Sequence, residues 1–319
     1  MLRRLFGSDH SLAPAHLLYL SKFLKPSTLQ QADYWDPVLG EAPEQAAKRF
    51  YDNGLLEQVG LSDRLAHAYT ISELKPMLRE RGLPVSGRKA VLINRLIEAD
   101  PKGMQKTVRD LRLLVCTEKG KRIAEDYLAQ EREKRARVVN QTLNALRENR
   151  FSEASEMVAG YEAQQVFMRG INIDWRNHNP RQDVAMLKVM FQARPKILPS
   201  LNEEHLGPLR LAAGMMYLWG EGHAKTWLPG NFKTDLDMDN DTAARMILFY
   251  AYHRRNMAGF RRLPMVKTVK ISVTDTSCPR CKKLSAKKYK PPEVPELPYE
   301  HCTNALGCRC RAVLGDYDY

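Results

Sequence analysis

Residues 70–98 read TISELKPMLRERGLPVSGRKAVLINRLIE, and two helices can be laid on them from side-chain chemistry alone. Thr70 followed by Glu73 is a capping-box spacing, in which each side chain satisfies an otherwise unpaired helix N–H. Ile71, Leu74 and Leu78 recur at helical intervals and are placed on one face. Pro76 is assigned to the first turn, where a missing N–H costs little because early N–H groups lack intrahelical partners. Gly82 follows the last apolar position and is placed to end the helix in a left-handed conformation. Leu83 and Pro84 redirect the chain. Ser86 and Gly87 then open a second helix whose Leu92, Ile93, Leu96 and Ile97 face the first. The stretch is predicted as a helix–loop–helix.

Its anchors, Leu74-Lys75, Leu78, Arg81-Gly82-Leu83, Ser86-Gly87-Arg88-Lys89, Leu92 and Arg95-Leu96, resemble the SAP domain, a small DNA-binding helix–extended loop–helix module. The resemblance implies DNA binding through phosphate contacts with little sequence specificity. The residues suit that chemistry. A helix N-terminus offers free N–H groups and a positive dipole end to a phosphate. Gly87 allows close backbone approach, beside Ser86, Arg88 and Lys89. Lys75, Arg79, Arg81 and Arg95 are placed to follow the DNA backbone.

On either side, FYDNGLL (50–56) and LVCTEKG (114–120) resemble parts of a winged helix, in which a recognition helix precedes a β-hairpin wing. That resemblance implies that the SAP-like segment is inserted into a winged-helix-like domain.

The charge pattern extends the argument. The 319-residue chain carries a formal +13, but residues 254–290 alone hold twelve Lys or Arg against a single acid, Asp275. Residues 70–98 hold six bases against three acids, so the remaining chain is nearly neutral. An acidic partner is expected, and net charge says nothing about fold. A hydrophobic share of 44% excludes a disordered or collagen-like chain. The longest apolar run, residues 211–219, is about half of the ~20 residues a membrane helix needs. The start of the chain carries no secretory pattern: residues 1–4 are followed by Asp9, His16 and Lys22 without a cleavage site. A cytoplasmic protein without membrane contact is expected.

Elsewhere helical patterns dominate. Residues 15–59 read as helices separated by Pro26, Pro37 and Pro43, and residues 121–150 as a long charged helix. Ser152 is read as the cap of a helix over 154–167. A looser stretch over 170–180 holds Trp175 and His178, and helices resume over 183–193, 207–219 and 242–257. Val266, Val269, Ile271 and Val273 suggest a strand, and Pro291, Pro292, Pro295 and Pro298 a loop after it. The fold expected is mainly α and multi-domain, with the SAP-like hairpin and a small carboxy-terminal metal-stapled β/loop module. The divisions expected are 1–69 (continued in 101–130), 70–100, 131–263 and 264–319.

Five of the six cysteines fall in the last of these: Cys278, Cys281, Cys302, Cys308 and Cys310. In a cytoplasmic chain such clustering points to metal rather than disulfides. Cys278-Pro-Arg-Cys281 is a knuckle that can hold one edge of a tetrahedral zinc, completed by a second pair. Which four bind is open, His301 is a possible substitute, and four thiolates also suit an iron–sulfur cluster. A closed four-thiolate zinc would be structural. Lys282, Lys283, Lys287 and Lys288 surround the knuckle with Tyr289, a combination suited to phosphate contact and base stacking. The ending also resembles, loosely, that of phage head-morphogenesis proteins of the Mu F type, through Glu296-Leu-Pro298 and Gly307-Cys-Arg-Cys310.

No catalytic set assembles. Asp235, Asp237, Asp239 and Asp241 alternate like a calcium loop, but the sixth and twelfth positions hold Asn240 and Met246 instead of Gly and Glu. They read as helix-capping acids, and lone Cys116 reads as a small buried residue. The function expected is non-enzymatic binding of double-stranded DNA, in a bacterial, phage or mobile-element setting, with a protein partner on the helical middle. The alternatives are a phage structural or packaging protein and a nuclease-like enzyme, whose acids would come from Asp174, Asp183, Asp235, Asp237 and Asp239.

Overall fold

The computed structural model describes residues 12–29, 33–170 and 173–315. The reading of residues 1–4 and Asp9 lies outside them. The chain divides into two compact units, 1–134 and 135–319. The helix Glu118–Arg147 starts in the first and ends in the second.

The first unit has two separate cores. One lies on a three-stranded antiparallel sheet whose central strand, Leu113–Cys116, pairs with Ser27–Thr28 on one side and Leu56–Gln58 on the other. Helices Pro14–Leu20, Asp36–Leu39 and Pro43–Asp52 belong to it. Tyr19 is fully buried, its ring 5.0 Å from Trp35 and 5.4 Å from Phe23. Pro37 and Pro43 mark helix boundaries as expected, and they do so from inside the helix that follows. Each opens its helix, because proline's fixed φ and missing N–H suit the first helical positions.

The other core occupies residues 61–108, between two paired strands. Leu65, Leu74, Leu78, Leu92, Ile93, Leu96, Met104 and Val108 form one buried cluster. It is built by helices Leu61–Ala68, Ile71–Glu80, Lys89–Ala99 and Pro101–Thr107. The expected helix pair is present and Gly82 ends its first helix at φ 65°. Two expectations fail. Ile71 is 42% exposed, since the apolar stripe facing the second helix is complete with Leu74 and Leu78. Pro76 is the sixth residue of Ile71–Glu80, in the second turn, where it removes an N–H that the carbonyl of Ser72 would otherwise bond.

In the second unit, helices Phe151–Glu162, Arg181–Phe191, Glu203–Trp219 and Asn240–Arg262 enclose an apolar core. A small sheet follows, with Val269–Ser272 central between Lys288–Tyr289 and Arg311–Leu314. Ile271, Cys278, Cys281, Leu297, Cys308 and Cys310 belong to the same core as the helices. Ser152 is not a cap. Asn149, at φ 57°, ends the long helix and the next begins at once at Phe151, so the Ser152 hydroxyl lies inside it and bonds Glu156 at 2.9 Å. That helix stops at Glu162, where the carboxylate turns to the Arg169 Nε at 3.1 Å.

Candidate nucleic-acid interface and metal centre

The amino-terminal helix of the pair is anchored by Glu73, which accepts the Thr70 N–H at 2.7 Å and its hydroxyl at 2.7 Å. Those bonds hold the Glu73 carboxyl below the usual range. The second helix, Lys89–Ala99, has Arg88 at its N-cap and no side chain capping it. Its first N–H groups therefore face outward beside the exposed Ser86, Gly87 and Arg88. Gly87 has φ 133°, and a Cβ there would lie 3.3 Å from Val91.

The basic residues split into two groups. Lys75, Arg79 and Arg88 carry no hydrogen bond or ion pair among the described residues, and Arg79 and Arg88 are exposed. Arg81, Lys89 and Arg95 are occupied. Arg81 donates to Asp100 Oδ2 at 2.8 and 3.2 Å and to the Met77 carbonyl at 3.0 Å. Asp100 in turn caps the helix Pro101–Thr107 through the Gly103 N–H at 2.8 Å. Lys89 donates to the carbonyl of Ala66, and Arg95 bonds the Pro84 and Ser86 carbonyls at 2.8 and 2.5 Å. These three shape the surface that the first three expose.

In the second unit, Cys278 caps the short helix Pro279–Ser285 and Cys281 lies within it, so the knuckle points two sulfurs one way. Cys308 and Cys310 arrive from the turn at Gly307, which has φ 75°. A Cβ there would lie 2.6 Å from Met246 Cε, so both conformation and space require glycine.

The sulfurs converge in two triplets, Cys278–Cys281–Cys302 and Cys281–Cys308–Cys310, with each triplet's sulfurs within 4.8 Å of one another. The Sγ atoms of Cys278 and Cys302 are 3.8 Å apart, and those of Cys281 and Cys308 are 3.9 Å apart. A tetrahedron with Zn–S bonds of ~2.3 Å has edges of about 3.8 Å. The cluster can hold a metal ion. His301 is outside both triplets, with its ring against Tyr299.

Thiol ionisation here is uneven. Burial opposes the Cys278 thiolate, but hydrogen bonds from the Thr303 and Cys281 backbones bring it down to about 6. A bond to Cys310 brings Cys308 down to about 6 as well, while burial lifts Cys302 to about 11. Burial raises Cys281, and the bond to Cys308 raises Cys310. Crowded sulfurs of this kind ionise together only when a cation balances them.

Lys282, Lys283, Lys287 and Lys288 are exposed around this cluster. Tyr289 is partly buried beside them: its hydroxyl donates to the Leu284 carbonyl at 3.1 Å, and its ring packs against the core.

The remaining candidate acids do not form one site: Asp235 and Asp237 are exposed, and of the four alternating acids Asp239 alone is the helix cap. Asp174 closes a turn with Asn177 at 2.8 Å, and Asp239 caps Asn240–Arg262 through the Thr242 N–H at 2.7 Å. Asp241 accepts the Lys225 N–H at 2.9 Å. Asp183 receives Ser155 at 2.6 Å, His178 at 2.7 Å and Tyr217 at 2.7 Å, and Trp175 stacks on His178. Trp175, His178 and Asp183 stand out in the sequence, but Ser155 and Tyr217 come from two other helices and carry no signal there. Cys116 is half-buried rather than fully buried, and burial raises its thiol to about 11.

Residues 66–101 match the SAP domain family. No curated protein and no solved structure matches the chain. The matched range extends past the helix pair to the last turn of Leu61–Ala68 and the Asp100 cap, the two places that Lys89 and Arg81 hold. A SAP domain points to nucleic-acid binding. Among the described residues no helix is long and apolar enough to cross a membrane.

Proposed function

We propose that the chain is a non-enzymatic protein that binds double-stranded DNA through phosphate contacts with low sequence specificity. The observation that carries this reading is the uncapped N-terminus of Lys89–Ala99, with exposed and unpaired Arg88 at its N-cap, inside the SAP-matched segment. Lys75, Arg79, Ser86, Gly87 and Arg88 contact phosphates, while Arg81, Lys89 and Arg95 hold the loop and flanking helices in place. The surrounding sheet and helices act as a winged-helix-like frame, supported by the helix Pro43–Asp52 preceding the paired strands Leu56–Gln58 and Leu113–Cys116. The cysteine cluster binds one structural zinc, and Lys282, Lys283, Lys287 and Lys288 add a second basic surface. The setting is a bacterial or phage DNA transaction, in the cytoplasm, with a protein partner on the helical middle.

The test is a mobility-shift titration of a short duplex at several salt concentrations. Wild-type binding should weaken steeply with salt, and Arg79→Glu with Arg88→Glu should abolish most of it. Unchanged affinity in the double variant at low salt overturns the reading. Elemental analysis should return about one zinc per chain, lost in Cys278→Ser with Cys281→Ser.

A further inference from the structure

A cavity of about 750 Å³ opens in the second unit, lined on one side by Phe249, Tyr252, His253 and Asn256 of helix Asn240–Arg262. Arg309, Cys310 and Arg311 line it beside Ser272, Val273 and Thr274. That volume falls in the range of small-molecule sites.

His253 is 9% exposed and its Nδ1 has no hydrogen-bond partner. A buried polar atom without a partner is rare in folded proteins and calls for a ligand or water to complete it. Two arginines stand on the same wall. Arg311 lies opposite Ser272 in the antiparallel register, and Arg309 is steadied by its bond to Thr276 Oγ1 at 2.7 Å. Cys310, a member of the sulfur cluster, separates them in sequence, so the metal centre and the spacing of the two guanidinium groups share one backbone. Phe249 and Tyr252 add aromatic surface, with Arg255 6.0 Å from the Tyr252 ring centre. No carboxylate is among the lining side chains.

We propose that this cavity binds a nucleotide, with its base against Phe249 and Tyr252 and its phosphate on Arg309 and Arg311. Guanidinium forks match phosphate oxygens, and aromatic rings accept any base face. Asn256 and His253 supply the amide and ring nitrogen for the base edge. The same chemistry is offered by a free nucleotide and by the phosphorylated end of a nucleic-acid strand. The site is independent of residues 66–101.

The test is calorimetric titration of the full chain with AMP, dTMP and a 5′-phosphorylated single-stranded oligonucleotide. Adenosine and inorganic phosphate serve as controls. Saturable binding of a nucleotide or of the oligonucleotide is expected, with each control weaker by about tenfold or more. Binding of the nucleotides alone assigns a free ligand, and binding of the oligonucleotide alone assigns a strand end. Arg311→Gln and Tyr252→Ala, both at partly exposed or exposed positions, should each weaken binding by about tenfold while keeping the melting temperature. Arg79→Glu with Arg88→Glu should leave it unchanged, which separates this site from the duplex interface. In a nitrogen-labelled sample the His253 Nδ1 resonance should move on binding. The proposal is overturned if neither probe saturates by about 10 mM. It is equally overturned if inorganic phosphate binds as tightly as AMP, or if both variants bind like wild type.

Discussion

Arg88 and Lys89 are adjacent and both cationic, yet they have different tasks. Arg88 is exposed and unpaired at the N-cap, whereas Lys89 reaches back to the carbonyl of Ala66. Arg88→Gln should therefore flatten the salt dependence of duplex binding by about one unit of slope without changing stability. Lys89→Gln should lower the melting temperature of the first unit, at a cost of about 1 kcal/mol for the lost bond. Melting curves and salt titrations of the two variants check both; equal effects would remove the distinction. Gly307 offers a second residue-scale test. Gly307→Ala forces a Cβ into Met246 and strains a left-handed residue, so it should destabilise the second unit by about 1–3 kcal/mol and reduce its metal content. His253 supplies a pH dependence. Burial, with Arg254 and Arg261 nearby, holds its imidazole down to about 4, from an ordinary 6.5. Tyr252, Arg309 and Arg311 share its cavity and add no acid to oppose this. Between those two values the unfolded chain binds more protons than the folded one, so stability falls as pH drops from 6.5 to 4 and levels below that. The full effect is about 3 kcal/mol. The difference between wild type and His253→Gln in denaturant titrations across this range measures it, and a flat difference would exclude it.

At the scale of elements, Pro76 is the feature with a measurable cost. It occupies the second turn of Ile71–Glu80, so Pro76→Ala should restore a helix hydrogen bond and stabilise the first unit by about 1–3 kcal/mol. A lower melting temperature would show that the ring makes a compensating contact. Local chemistry made much of this region legible in the sequence: the Thr70–Glu73 spacing, the glycine stop at Gly82 and the apolar faces are all set within a few residues. The wider module was not legible. Leu65, Met104 and Val108 complete the core from flanking helices, and nothing in a thirty-residue pattern announces that contact. The occupied state of Arg81, Lys89 and Arg95 escaped for the same reason, since charge is visible in a sequence and its partner is not. The two-residue strand Ser27–Thr28 is too short to leave a period, and it exists because Leu113–Cys116 offers an edge to pair with. The sulfur spacing pointed to the thiol cluster, because five cysteines within forty residues are placed to converge, and the converged sulfurs can hold a metal ion. The cavity beside it joins three segments, the outer two more than fifty residues apart, and left no mark.

For the molecule as a whole, the excess charge belongs to two places, one in each compact unit. The two units share no core, so scanning calorimetry should separate the unfolding of the second from that of the first. A strong chelator should lower the transition that belongs to the second unit, because metal-binding free energy is folding free energy. It should leave the other, and duplex binding through residues 66–101, nearly unmoved. A single transition that shifts intact would mean that the two units unfold together.

The pairing of Leu56–Gln58 with Leu113–Cys116 has a topological consequence. Gln58 lies opposite Leu114, and the Val59 N–H bonds the Leu113 carbonyl at 3.0 Å, so both ends of residues 59–112 are pinned side by side. The segment between them behaves as a detachable cartridge plugged into a hairpin. Closing an unstructured loop of that length would cost roughly 3–4 kcal/mol beyond a length-independent constant, whereas a cartridge with its own core arrives already closed. A laboratory excision that joins Gln58 to Leu113 through a short turn should leave a folded frame with no grip on the duplex.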